Sequence, residues 1–312
     1  CPLIRLPKGV ALGLGNVGNL VKARAFNYIA PRSIEEALWL LRENADARVI
    51  AGGQSLVPVL NFRLSSPDIL VDLNFIDELS GIERLDDGSV RAGATTRHQD
   101  FVRSEIVRIA QPLIHAAVPF IAHGPVRNRG TIGGSLAHAD PAAEWPAICL
   151  ALDATLAVAS VGGGRTIAAG DFIRGVFMTA LGADEILTQV TFPPWRPGQR
   201  CGFQEVSRRR GDFALAGVAC VIDLETDGTC SACRIVAFGV GDGPLLLDEP
   251  AALLVGNRPD AALLREAGRL GAAATSPRED MHASAEYRRE LLETLIERAL
   301  LQALGEEEMA TP

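Results

Sequence analysis

Long apolar runs are missing from this 312-residue chain. No stretch reaches the roughly 18 apolar residues that a membrane-spanning helix requires, no positively charged leader precedes a signal-type apolar core, and no lipidation tail is found. No membrane insertion is expected, and the cytoplasm is the expected compartment. Concentrated positive charge is missing too. The formal net charge is −8 with no basic stripe, which excludes nucleic acid and anionic membrane surfaces as partners. An anionic ligand must then be held by backbone donors rather than by a positive field.

Grouped metal ligands are the third absence. The six cysteines, Cys1, Cys149, Cys201, Cys220, Cys230 and Cys233, are scattered through apolar or strand-like contexts, which excludes a disulfide framework. Cys230-x-x-Cys233 is the one close pair, but a zinc site needs a second ligand pair and a thioredoxin-like site needs a helix start after a strand. This pair lies between Asp227-Gly228 and the apolar run Ile235–Phe238, which predicts structural thiols. No other grouping offers the four thiolates of an iron–sulfur cluster. His98, His115, His123, His138 and His282 form no helical i, i+4 pair, so no metal is assigned.

What is present is enough length and apolar content, 48%, to fill the cores of two domains. Two glycine loops stand out, Ala51-Gly52-Gly53-Gln54-Ser55 and Thr131-Ile132-Gly133-Gly134-Ser135, and neither carries a P-loop lysine. A Gly-Gly pair flanked by Ser or Thr lets the backbone approach a ligand and aims N–H donors at one anionic centre, with a hydroxyl adding another. One such loop is commonly a turn and nothing more. Two, in different segments, read as halves of one diphosphate cradle. Gly13-x-Gly15-x-x-Gly18 also matches the dinucleotide fingerprint, which must come after a strand and open a helix. The segment after it, Lys22–Tyr28, is instead strand-like, and Pro31 ends it. A native start near Val21, an alternative start codon read as valine, would make residues 1–20 an extension, expected to be disordered.

The remaining pattern alternates helix and strand. Ser33-Ile34-Glu35-Glu36 is a capping box opening a helix over 33–44, and Arg48-Val49-Ile50 is a short strand running into the first loop. Ile69–Leu73 is a second strand, 82–85 and 89–94 a hairpin about Asp86-Asp87-Gly88, and Thr96 the cap of a helix into Phe101. Residues 105–121 continue with helical periodicity. After the second loop come a helix around 142–152, a hairpin over 154–168 and a strand over 185–192. Pro193–Gly198 reads as a linker, beyond which strands at 201–206, 214–224 and 233–240 give way only to helices at 259–271 and 283–304, the order of a separate α+β domain.

These residues resemble the FAD-binding medium subunit of the molybdenum hydroxylases, the family of carbon monoxide dehydrogenase and xanthine dehydrogenase. The resemblance covers roughly 21–305 and rests on Phe26-Asn27-Tyr28-x-x-Pro31, Ala51–Leu56, Arg127-Asn128-x-Gly130 leading through Thr131–Ser135 to Leu136, and Ala139-Asp140-Pro141-Ala142. It extends to Arg208-Arg209-x-Gly211-Asp212-Phe213-Ala214 and Ala285-Glu286-Tyr287-Arg288. It implies an α+β fold: a two-part, PCMH-like FAD-binding domain over 21–197, with subdomains about 21–80 and 81–197, then a C-terminal domain over 198–312 with a three-stranded antiparallel sheet and helices.

The resemblance also implies the site. The FAD diphosphate would lie on Ala51, Gly52, Gly53, Gln54, Ser55 and Leu56 and on Thr131, Ile132, Gly133, Gly134 and Ser135. Asp140 would join flavin-site hydrogen bonding, although a helix N-cap before Pro141 is an equally good local reading. Leu187 and Phe203 would lie near the flavin ring, where a core role is the plainer alternative, and Gln204 stands where some relatives place a cation. No catalytic residue is assigned; His138 reads as structural. The flavin would be non-covalent, since the first loop has neither His nor Cys. As an electron-transfer subunit the chain would partner a molybdopterin-binding large subunit, a [2Fe-2S] small subunit and an external electron acceptor. The rival is a stand-alone FAD-dependent oxidase or reductase, which needs its own acid or base over the ring.

Overall fold

A computed structural model describes residues 22–305. The Gly13–Gly18 pattern and the expected extension lie outside the described residues.

Three short parallel strands come first: β1 (Asn27–Ile29), β2 (Ala47–Ile50) and β3 (Ile69–Asp72), in the order β1-β3-β2. Helix Ile34–Glu43 covers them. Ser33 Oγ accepts the Glu36 N–H at 3.2 Å, and the Glu36 carboxylate accepts the Arg32 N–H at 3.1 Å, one residue upstream of the usual box. Ala37, Leu38 and Leu41 bury against Val71, Leu73 and Ile76. The third strand stops one residue before the expected Leu73, because Asp72 Oδ1 accepts the Asn74 N–H at 2.9 Å and turns the chain into a 3-10 segment.

The second layer mixes strands and helices. β4 (Ile82–Arg84) and β5 (Val90–Gly93) form the expected hairpin, and β6 (Thr155–Ser160) and β7 (Gly163–Ala168) form another. A small ribbon, β8 (Ile173–Gly175) with β9 (Met178–Thr179), precedes β10 (Ile186–Phe192), and the antiparallel sheet runs β4-β5-β10-β6-β7. Two helical expectations need correction. Thr96 does not cap the helix, which is His98–Arg103 with Arg97 as N-cap; the Thr96 hydroxyl instead bonds the Gly81 N–H and C=O, both at 3.0 Å. Residues 105–121 break into Glu105–Ala110, Pro112–Ala117 and a 3-10 turn at Val118–Phe120, since Pro112 and Pro119 cannot donate to a preceding turn.

The C-terminal sheet is β11 (Gln199–Ser207), β12 (Ala214–Leu224) and β13 (Cys230–Phe238), all antiparallel, and a two-residue β14 (Leu245–Leu246) beside β13 makes it four-stranded rather than three-stranded. Helices Asp248–Leu254, Ala261–Ala273 and Ala285–Leu304 complete the domain. Ala216, Val218, Cys220 and Ile222 of β12 pack with these helices, whereas Ala219 and Val221 belong to the main core, with Trp145, Ile148, Phe203 and Phe238. Every residue of helix Glu144–Ala151 is buried. The Ala285–Arg288 motif has a structural account: Ser284 caps the last helix, and the buried Arg288 donates to Leu215 O at 2.6 Å and to Asp280 Oδ2 at 2.7 Å.

Candidate functional site

β2 and β3 run parallel, so Ile50 and Asp72 end them at the same edge, the side where α/β sheets leave room for ligands. The first glycine loop emerges there. Gly53 has φ +71°, a left-handed conformation that costs a side-chain-bearing residue about 1 kcal/mol or more. Among the described residues, no acceptor meets the successive amides of Gly52, Gly53, Gln54, Ser55 and Leu56, and the Ser55 hydroxyl makes no cap bond to helix Leu56–Asn61. Gln54 Nε2 folds back onto Gly52 O at 3.2 Å.

The second loop is the first turn of helix Ile132–His138, and its amides are differently employed. Ile132 donates to Thr96 O at 3.1 Å and Gly133 to Ala94 O at 2.9 Å, while Thr131 Oγ1 caps Gly134 at 3.0 Å. These bonds fix the loop against the second sheet, and Ala94 in turn donates to Thr188 O at 2.9 Å. Gly134 is exposed and Ser135 half-buried.

The two loops meet. A Cβ on Gly52 would lie 2.3 Å from Arg129 O and 2.7 Å from Gly130 Cα, so only glycine permits this approach. A polar network crosses the same seam. Tyr28 Oη donates to Asp72 Oδ2, Asn74 Nδ2 donates to Ala51 O at 2.7 Å, and the Arg97 guanidinium donates both to Asn74 Oδ1 and to Arg129 O. Burial and the Asp72 carboxylate push the Tyr28 phenol up to about 12, so it stays a donor. Beneath lies His98, whose Nδ1 accepts the Trp145 indole N–H at 3.0 Å; burial, with Arg127 and Arg97 nearby, lowers it to about 3, and it is neutral.

The other expected residues are placed differently. Asp140 is not a helix N-cap: its Oδ1 accepts the Ala142 N–H at 2.9 Å in a turn after left-handed Ala139, and the helix starts at Glu144 with Ala143 as cap. Leu187 sits at a bulge of β10 beside Thr188, and Phe203 stacks on Phe238 with centroids 5.8 Å apart; both are buried in the main core. Gln204 Nε2 donates to Gln302 at 3.3 Å. His138 rests on Phe177, centroids 5.0 Å apart, and burial lowers its pKa. Arg208 and Arg209 both pair with Asp212, at 3.3 and 3.4 Å. An open groove of about 800 Å³ lies elsewhere, between Trp39 and the β6–β7 hairpin, and no glycine-loop residue lines it.

Two carboxyls lie where the C-terminal sheet meets the rest, Glu144 buried and Glu205 half-buried. Burial raises Glu144 to about 7, and burial together with the Glu144 charge raises Glu205 to about 9. Glu205 Oε2 finds no hydrogen-bond partner among the described residues.

Asn74, Arg97 and the Glu144–Glu205 pair are the residues that sequence reasoning missed. Asp72-x-Asn74 after a strand is a readable Asx-turn signal. Nothing local marks Arg97.

Such a site, a parallel-strand edge with a glycine loop of free amides, defines a nucleotide-cofactor protein. The chain belongs to the family of FAD-binding subunits of the molybdenum hydroxylases: residues 24–195 match the FAD binding domain in molybdopterin dehydrogenase, and 202–303 the CO dehydrogenase flavoprotein C-terminal domain. It is 41% identical to the nicotine 6-hydroxylase medium subunit of Paenarthrobacter nicotinovorans, covering 91% of this chain and 99% of that one. Quinoline 2-oxidoreductase from Pseudomonas putida 86 superposes with a TM-score of 0.87 at 38% identity, covering 92% and 99%. Carbon monoxide dehydrogenase from Hydrogenophaga pseudoflava gives 0.88 at 34%, covering 91% and 99%. FAD is the cofactor this family membership assigns. Among the described residues no helix is long and apolar enough to cross a membrane.

Proposed function

We propose that the chain holds the FAD diphosphate in the seam between its two glycine loops and passes electrons from the iron–sulfur clusters of a small partner subunit to an external acceptor. A molybdopterin-binding large subunit would oxidise the substrate. The observation that carries the reading is the run of acceptor-free amides from Gly52 to Leu56, set against Arg129-Gly130 at the entrance to the second loop. Neither glycine loop carries a lysine, and backbone donors can hold an anion without one. Bound FAD supplies a group that accepts electrons singly and releases them in pairs.

The rest of the chain serves that cofactor. Ser55 and Ser135 offer hydroxyls at the two loops, Thr131 holds the second loop in its helical turn, and Leu187 and Phe203, buried in the main core, would lie nearer the flavin ring. Asp140 would complete the flavin site. The cytoplasm suits the free thiols of Cys149, Cys201, Cys220, Cys230 and Cys233.

The test separates a subunit from a stand-alone enzyme. The chain purified alone should reduce dyes slowly with a nicotinamide donor and hydroxylate nothing. Mixed with its large and small partners it should support hydroxylation coupled to acceptor reduction. Substrate hydroxylation by the chain alone would overturn the proposal.

A further inference from the structure

We propose that Arg97 is a positioning residue: it clasps the first glycine loop, through Asn74, to the Arg129 carbonyl that leads into the second, and so sets the affinity for the diphosphate without touching it. The inference rests on the cradle reading above and adds to it the device that holds the cradle shut.

Arg97 lies on neither loop. It precedes helix His98–Arg103, and its backbone is already fixed there, the N–H donating to Asp100 Oδ2 at 3.1 Å and the residue bridging Thr131 as an isolated antiparallel pair. From that anchor the guanidinium divides. One nitrogen donates to Arg129 O, immediately before Gly130; the other donates to Asn74 Oδ1, and Asn74 Nδ2 holds Ala51 O at 2.7 Å. Asn74 is itself fixed by Asp72, which accepts its backbone N–H at 2.9 Å.

Because a peptide unit is planar, the Ala51 carbonyl and the Gly52 N–H share one plane and point in opposite directions. Pinning the carbonyl toward Asn74 therefore turns the Gly52 N–H away from the clasp. That amide is the first of the acceptor-free run. On the other side, the Arg129 carbonyl held by Arg97 is the same atom that Gly52 approaches so closely that no Cβ fits. Arg97 thus fixes both surfaces of the contact.

A guanidinium suits the task because it is a rigid planar fork with several donors, whereas a lysine ammonium is a point charge on a flexible stem. The alternative role for Arg97 is a positive charge that attracts the diphosphate directly. The two roles make opposite statements about Arg97→Lys, which keeps the charge and loses the fork.

The experiment uses the full chain stripped of flavin. FAD is titrated by the change in its fluorescence and ADP by competition against it, with thermal midpoints of the apoproteins recorded alongside. Arg97→Gln should weaken FAD and ADP by the same factor, about tenfold or more, and leave the apoprotein midpoint within about 2 °C of the parent, roughly 1 kcal/mol or less. Arg97→Lys should lose nearly as much. Asn74→Ala should show a smaller loss, and the double variant Arg97→Gln/Asn74→Ala should be no weaker than Arg97→Gln alone, because both break one chain of bonds. Parent-like binding by Arg97→Lys, or losses that multiply in the double variant, would overturn the clasp. Should Arg97→Gln fail to fold, Asn74→Ala decides alone, and an unchanged ADP affinity there also overturns it. Gly134→Val is the control for the cradle: if it loses FAD while Arg97→Gln does not, the clasp is wrong and the cradle stands, and if neither loses FAD, both are wrong.

Discussion

Replacing Glu205 by glutamine should flatten the pH dependence of stability. The wild-type carboxyl is raised to about 9 by burial and by the neighbouring Glu144, against 4.5 in the unfolded chain. The folded state therefore holds a proton that the unfolded state releases as pH rises above 4.5. The contribution is fully present at acid pH and is lost progressively as pH rises toward the folded pKa, at about 1.4 kcal/mol per pH unit. Between pH 5 and pH 8 the excess loss is on the order of 4 kcal/mol, the limit for one fully differential proton. Glutamine has the same shape and nothing to ionise. Thermal midpoints of the two proteins at pH 5, 6, 7 and 8 should start together and diverge, the variant ending above wild type by several degrees, at about 2–4 °C per kcal/mol. Glu144→Gln should act over a narrower window, because burial raises Glu144 only to about 7, and should also lower Glu205 by removing the charge that faces it. Exposed pairs such as Arg91–Glu83 titrate alike in all three proteins and cancel in the comparison. Parallel curves for wild type and Glu205→Gln would show that this carboxyl ionises freely in the fold, and would refute the reasoning.

The loops and the flavin linkage can be probed as directly. Gly53→Val and Gly134→Val should each yield a folded but colourless protein: the first forces a branched side chain into φ +71°, and the second sets a Cβ 2.8 Å from the Thr131 hydroxyl that caps the turn. Stoichiometric flavin in either purified variant would count against a shared cradle. Acid precipitation of the holoprotein should leave a white pellet and a yellow supernatant, because Cys149 is buried with its pKa driven upward, a poor nucleophile, and His138 is packed on Phe177. A yellow pellet would point first at His138.

Much of the architecture was legible because its signals are local. Ser33-x-x-Glu36 announced a helix, Asp86-Asp87-Gly88 a hairpin, and the Gly-Gly pairs two tight loops, each within a few residues. Thr96 was misread because a hydroxyl before a helix has a second option, and here bonding the Gly81 backbone won. The 105–121 stretch kept its apolar period through Pro112 and Pro119, so periodicity outlived the helix itself. Within the candidate site, the glycines were visible and their partners were not. Arg97 reaches Asn74 and Arg129 across 23 and 32 residues, and Glu144, on its buried helix, acts on Glu205 of β11. Such pairings exist only once the fold has formed.

Helix Glu144–Ala151 has no face turned to water: Trp145 and Ile148 reach into the main core, and the same core takes in Phe203, Ala219 and Phe238 from the far side. An element wrapped on every side belongs to neither neighbour. A polypeptide cut at the proline-rich stretch 193–198 would strip one wall from this helix and lay its apolar side chains open. The amino-terminal and carboxyl-terminal units are therefore expected to lose stability when swapped or expressed singly. Each keeps a core of its own and both share this one, so a change in either is felt by the other.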